Sequence, residues 1–232
     1  MTRAVIRKDL AVLWASPIPY VVGALFHLAL GLLYIDQLEV RRQAVVQPLF
    51  PLAGFLLLVM VPLITMRSFA EEARTGTLDV LQAARVRARP LVFGKWVAAW
   101  LTALAVFAPA LLFAVLLQWW GEPDTGPVIA GFAGLALFAA TLTGLGVLAS
   151  SLTNSQPVAA VIALFLSLLF WFADVADEAP QAGSLLLRFS LRERLRSFAS
   201  GVVDTSDVAW FVLLALATLL LAGQAVAGRR LR

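Results

Sequence analysis

The chain has 232 residues, 61% hydrophobic and 14% charged, with a formal net charge of +4. A water-soluble domain carries about 25% charged residues, and no soluble surface has room for this much apolar side chain, so membrane is the reading that remains. Cysteine is absent and histidine occurs once, at His27, which excludes disulfides and thiolate metal sites and leaves no basis for a histidine zinc site within the chain.

In chain order, residues 2–14 place Ile6, Leu10, Leu13 and Trp14 on one helical face with Arg7 and Lys8 away from its centre. That pattern predicts an amphipathic helix along the membrane surface. Pro17 and Pro19 follow, then an apolar run with no small-residue cleavage site directly after it. The run is longer than the roughly 7–15 residues of a signal peptide core, so it reads as a retained first span.

Six runs reach or approach the roughly 20 residues that ~30 Å of hydrocarbon requires of a helix. They are Ile18–Ile35, Leu49–Met66, Leu91–Leu117, Val128–Leu152, Val158–Ala173 and Val208–Ala227. The fifth is short and needs a thinned bilayer or help from neighbours. The third begins in the cytoplasm and carries Lys95 at the interface. Pro62 and Pro109 are positioned to kink their spans. Gly131, Gly134, Ala140, Gly144, Gly146 and Ser150 give the fourth span small-residue faces for close packing. His27 is the ionisable exception within the spans and reads as a hydrogen-bonding partner of a neighbouring helix in preference to a functional group.

Charge sets the orientation. The side that would hold both termini carries twelve basic residues against four acidic ones, and the other side six against ten. The positive-inside rule then places both termini in the cytoplasm. The chain reads as a single membrane domain, residues 1–232, with an interfacial helix over 1–16, a cytoplasmic loop over 67–90 and an external segment over 174–207. The short loop "SSLTNSQP" between the fourth and fifth spans is cytoplasmic and uncharged.

The external segment puts Leu187, Leu191, Leu195 and Phe198 on one face of a helix, with Arg188, Arg192 and Arg196 as a stripe beside it at i,i+4 spacing. Pro180 and Gly183 precede this helix and Gly201 follows it. These arginines run against the positive-inside trend. Snorkelling from a half-buried helix to lipid headgroups accounts for them; contact with an anionic substrate or an external accessory protein is the alternative.

No serine-hydrolase elbow, zinc-protease or phosphate-loop pattern is present. The acidic residues gather at the water boundaries and none forms a buried pair deep in the spans, where a proton-coupled carrier would hold one. The energy source is therefore expected in another protein. The dense polar stretch from Met66 to Trp96 shows where that protein would grip. Gly76 breaks one helix, Thr77 can cap a new one, and Asp79 lies in its first turn. Leu78 and Leu81 form a small apolar ridge, and Arg85, Arg87 and Arg89 anchor the return to the membrane surface.

The stretches "TMRSFAEEARTGTLDVL" and "LVFGKWVAAW" resemble the signature of ABC-2 type exporter permeases, roughly Glu-Glu-x-x-x-Gly-Thr-Leu-Glu-x-Leu followed by a Gly-Lys opening the next span. "KDLAVLWASPIPYVV", "PLITMRSFAEE" and "GVVDTSDVAWF", at Lys8–Val22, Pro62–Glu72 and Gly201–Phe211, resemble the gliding-motility (GldF-like) branch. Together the similarities cover nearly the whole chain. They imply an all-α fold of six transmembrane helices with an N-terminal interfacial helix, a coupling helix at about Thr77–Ala84 and short external re-entrant helices before the last span. They imply a permease subunit of the bacterial cytoplasmic membrane, not itself an enzyme. It would pair with a second permease subunit, identical or related, and with a nucleotide-binding ATPase that holds ATP and Mg; no cofactor sits in this chain and no nucleic acid is bound. Glu71, Glu72, Gly76, Thr77, Leu78, Asp79 and Leu81 are the implied contacts to the ATPase. Asp79 stands where Glu is usual, and "QAARV" replaces a small, Pro-containing turn. Members tied to gliding machinery or to maturation of a periplasmic enzyme leave an alternative, in which the chain transmits force to an external partner without moving a small solute.

Overall fold

The computed structural model describes residues 2–41, 45–77, 87–117, 119, 124–174 and 189–228. Among them the ordered elements are all helical. They are α1 (Thr2–Ala15), α2 (Ile18–Arg41), α3 (Leu49–Thr65), α4 (Ala70–Arg74), α5 (Ala88–Phe107), a 3-10 turn (Ala108–Ala110), α6 (Leu111–Leu117), α7 (Thr125–Leu152), α8 (Gln156–Trp171), α9 (Leu191–Ala199) and α10 (Thr205–Gly228). Five helical stretches are long and apolar enough to cross a membrane: Ile18–Val40, Leu49–Arg74, Ala88–Leu117, Thr125–Leu152 and Thr205–Gly228. The fifth expected span is α8, which at 16 residues is shorter than these. At 1.5 Å per residue it reaches about 24 Å.

The breaks follow local chemistry. Ser16 and Pro17 separate the surface helix α1 from α2. Pro109 sits in the 3-10 turn that divides the third run into α5 and α6, because a proline lacks the N–H that a continuous helix needs there. Pro62 is accommodated inside α3, which ends three residues later at Thr65. The first span runs on as helix past Ile35 to Arg41, carrying Asp36 and Glu39 with it.

Helix α7 is the centre of the bundle, packed by α3, α5, α8, α9 and α10. Its small residues admit large neighbours. Phe50 of α3 lies over Gly131, Thr65 of α3 over Gly146, Thr218 of α10 over Gly144, and Phe198 of α9 over Gly134. Helices gain little hydrophobic drive against one another in lipid, so close fit of this kind is what holds them. On the α5 side, Trp96 Nε1 donates to the Ala140 carbonyl and Trp100 Nε1 to the Ala136 carbonyl, each at 2.9 Å. The two indoles are stacked, with centroids 5.7 Å apart and planes 6° from parallel.

Helix α9 closes the end of the bundle opposite α1. The Ser190 hydroxyl accepts from the Glu193 N–H at 3.2 Å, and Glu193 stands in the first turn, an N-cap in its usual form. Leu191, Leu195 and Phe198 are fully buried, and Leu195 fits over Gly54 of α3. The helix stops at Gly201, whose φ of 87° is left-handed. The N–H of Val202 then reaches Ser197 O at 3.2 Å and that of Gly201 reaches Phe198 O at 3.0 Å, the paired bonds of a Schellman stop.

Candidate functional site

The segment between α3 and α5 is built around one hydroxyl. Ser150 Oγ, from the end of α7, accepts the N–H groups of Phe69 at 2.9 Å and Ala70 at 3.0 Å, and donates to Met66 O at 3.0 Å. A helix start leaves N–H groups without partners, and here a neighbouring helix satisfies two of them. The start of α4 is thereby fixed to α7. Phe69 is buried in a cluster with Leu91, Val92 and Val147.

The two glutamates in the first turn of α4 face different surroundings. Glu71 is half exposed, with Arg67 at 3.8 Å and Arg74 at 3.9 Å, spacings worth little at a surface. Glu72 turns inward. Its Oε1 meets Lys95 Nζ at 3.0 Å and Lys8 Nζ at 2.8 Å, and its Oε2 is buried without a hydrogen bond. Lys95 also meets Asp9 Oδ2 at 3.2 Å and lies 5.1 Å from the centroid of the Phe69 ring. The Lys95 side chain is 3% exposed. One ammonium on α5 therefore ties α1, through Asp9, to α4, through Glu72.

The electrostatics follow from burial. Desolvation pushes the Asp9 carboxyl above the ordinary carboxylate range, against the attraction of Lys95. The hydrogen bond to Glu72 raises the Lys8 ammonium above its ordinary value. A cleft of about 220 Å³ opens beside the cluster, bordered by Lys8, Val12, Arg67, Glu71 and Thr75. Arg67 crosses its rim to Ser16 Oγ at 3.2 Å and Gln156 Oε1 at 3.3 Å.

At the far end of α4 the chain turns through Gly76, with φ of 71°. A Cβ there would meet no neighbour, so the dihedral, not crowding, calls for glycine. The Thr75 hydroxyl donates to Glu71 O at 2.9 Å and the Thr77 hydroxyl to Glu72 O at 3.3 Å, supplying the last carbonyls of α4. Among the described residues, then, Glu71, Glu72, Gly76 and Thr77 come together. Leu78, Asp79 and Leu81, with Ala84, Arg85 and the rest of the expected coupling helix, lie outside the described residues. So do Leu187 and Arg188.

Arg192 and Arg196 are at the other end of the bundle. Arg192 Nη2 pairs with Asp174 Oδ2 at 2.5 Å, and Arg196 is 79% exposed with Glu193 at 3.9 Å. Arg194, which the i,i+4 stripe passes over, pairs with Asp207 at 2.6 Å and lies 4.8 Å from the Trp210 ring centroid.

A family model described as ABC-2 family transporter protein matches residues 30–176, well over half of the chain. The chain belongs to the ABC-2 transporter family. No curated protein matches it. The matched part of this permease runs from α2 through α8 and includes α4, Gly76, Lys95 and Ser150. Lys8 and Asp9 of α1, and the whole of α9 and α10, lie outside it. The permease is a multi-pass membrane transport protein with an all-helical fold.

Sequence reasoning reached Glu71, Glu72 and Gly76 by motif but missed Lys95 as the centre of an ion cluster. One signal was readable. The inward face of α1 is Thr2, Val5, Ile6, Asp9, Leu10, Leu13 and Trp14, all partly buried. A carboxylate in the middle of an apolar face calls for a buried cationic partner.

Proposed function

We propose that this permease is the membrane subunit of an ATP-driven exporter of the cytoplasmic membrane, with both termini inside, powered by a separate nucleotide-binding subunit that carries ATP and Mg. A second permease subunit, identical or related, completes the pathway. The Lys95 cluster carries this reading. Force applied to the segment after Gly76 enters α4, and α4 is joined to α7 through Ser150 and to α5 and α1 through Lys95. A push on one short helix is thus delivered to three others.

The residues assigned to the ATPase contact are Glu71, Gly76, Thr77, Leu78, Asp79 and Leu81, with Glu72 as the inner link. Their role is mechanical. The test is reconstitution. Vesicles with this chain alone should show no ATPase activity above background, and the cognate ATPase should restore it. Leu78→Asp or Leu81→Asp should weaken the complex by about 2–5 kcal/mol, the cost of leaving an interfacial charge unpaired, or roughly 30-fold or more in affinity. Full binding and coupled hydrolysis in both variants would overturn the assignment.

A force-transmitting role without a solute has one observation in its favour. At the α9 end Arg196 of α9, with Val202 and Val203 just beyond it, is exposed, a surface for an external protein. ATP-dependent solute accumulation in vesicles holding only the permease and its ATPase would exclude it.

A further inference from the structure

A second cleft lies at the α1 end of the bundle, away from the Lys95 cluster. It measures about 610 Å³ and is formed by Arg87, Arg89 and Pro90 before and within the first turn of α5, and by Leu220, Gly223 and Gln224 of α10. Arg87 and Arg89 are both exposed. Neither has an acidic partner among the described residues, whereas Arg192, Arg194 and Arg196 of α9, at the opposite end, are each paired. The floor is open at Gly223, where a Cβ would meet nothing within 4 Å.

The depth of the cleft identifies its surroundings. The apolar run of α10, Val208–Ala227, is 20 residues long, and at 1.5 Å per residue it covers about 30 Å, the thickness of the hydrocarbon. The cleft is at its end and therefore at headgroup level. Below it Leu213, Leu216 and Leu220 form an exposed stripe on α10, running from the cleft into the region of the acyl chains.

We propose that this cleft seats one anionic phospholipid, its phosphate diester held between Arg87 and Arg89 and an acyl chain laid along Leu220, Leu216 and Leu213. Guanidinium groups hold phosphate oxygens in a forked geometry, and their charge disfavours the ammonium of a zwitterionic headgroup. The exposed Gln224 amide is placed for the glycerol hydroxyls of such a lipid. The apolar floor and its continuation down α10 favour a lipid over free phosphate, which would gain nothing from them. This seat rests on the chain spanning a membrane and not on its pairing with an ATPase.

The test uses the full chain in mild detergent, with native mass spectrometry reading the binding of phosphatidylglycerol and phosphatidylcholine of equal chain length. The parent should prefer phosphatidylglycerol. Arg87→Gln with Arg89→Gln should lower its affinity for that lipid about 30-fold, the equivalent of about 1 kcal/mol for each arginine, and lower that for phosphatidylcholine, whose ammonium already weakens it, by less. Gly223→Leu, whose Cβ would meet nothing within 4 Å, should lower the affinity for phosphatidylglycerol by blocking the chain. Arg192→Gln with Arg196→Gln, at the opposite end, should leave the preference intact. Monodisperse elution and unchanged helical circular dichroism confirm that each variant is folded. An undiminished preference in the Arg87/Arg89 variant, an equal loss in the Arg192/Arg196 variant, or competition by glycerol phosphate as effective as that of the lipid would each overturn the proposal. Failure of the ATPase to bind would not bear on it.

Discussion

The two ends of the bundle are held by different physics. At the α1 end, three elements meet on one ammonium, with Lys95 between Asp9 and Glu72. At the α9 end, α9 is held by shape, Leu195 over Gly54 and Phe198 over Gly134, and the ion pairs are at its edges. Attraction between charges falls off slowly and survives small displacements, whereas a side chain seated on a glycine loses its contacts within an ångström. The first kind of joint suits elements that change their relative positions during a cycle. The second suits a part that stays seated.

The largest expected effect breaks the charged joint. Lys95→Met leaves Asp9 and Glu72 close together with Lys8 as their remaining partner, and removing one member of a buried ion pair costs about 3–5 kcal/mol. Thermal unfolding in detergent, followed by tryptophan fluorescence, should show the loss. In a reconstituted complex the same variant should hydrolyse ATP without coupled output. An unchanged midpoint would mean that the cluster is solvated and mechanically idle.

Leu195→Ala tests the seated joint. It empties the space over Gly54 and should cost about 2–5 kcal/mol, with a midpoint that does not vary with salt. A salt-dependent loss would show that the ion pairs, not the fit, hold α9. Next comes Ser150→Ala, which leaves the N–H groups of Phe69 and Ala70 without their acceptor, at about 1–3 kcal/mol. Hydrogen exchange at those two amides should quicken while α10 stays protected.

The smallest effects sharpen the contrast. Asp9→Asn should change stability by less than about 1 kcal/mol at neutral pH, because desolvation already works against the ionised form. The folded pKa of Asp9 is raised, so the folded state binds its proton more tightly. The cost of the charge is present above that pKa and is relieved as pH falls through it. The variant should lose this component of the pH dependence. Arg196→Gln, at a 79% exposed side chain, should register below about 0.5 kcal/mol.

Local features of this fold were readable because single residues set them. Pro109 divides the third run at its own position, Gly76 admits a left-handed turn, and five of the six apolar runs give helices of span length. The small residues of the fourth span pointed to close packing, and four glycines of α7 receive side chains from three other helices. The Lys95 cluster depended on pairings across 86 and 23 residues, which require the rotation of each helix about its axis. Ser150 read only as a small packing residue, because its second role exists once Phe69 and Ala70 are beside it. The acidic ends of the external segment hid the same way: Asp174 read as a boundary charge and Asp207 as no more than the end of the segment, and each is the partner of an arginine in α9.

The two tryptophans of α5 impose a quantised relation between their helix and α7. Trp96 and Trp100 are one turn apart, and so are the carbonyls of Ala140 and Ala136 that accept from them. A slide of half a turn strips both indoles of their acceptors at once. A slide of a full turn, about 5.4 Å, lets one indole take over the carbonyl of the other and moves the second to Phe132 or Gly144. The pair works as a detent: it resists creep and permits a jump. Anything that drags Lys95 along the axis of α5 must therefore carry α7 with it, or move by a whole helical pitch.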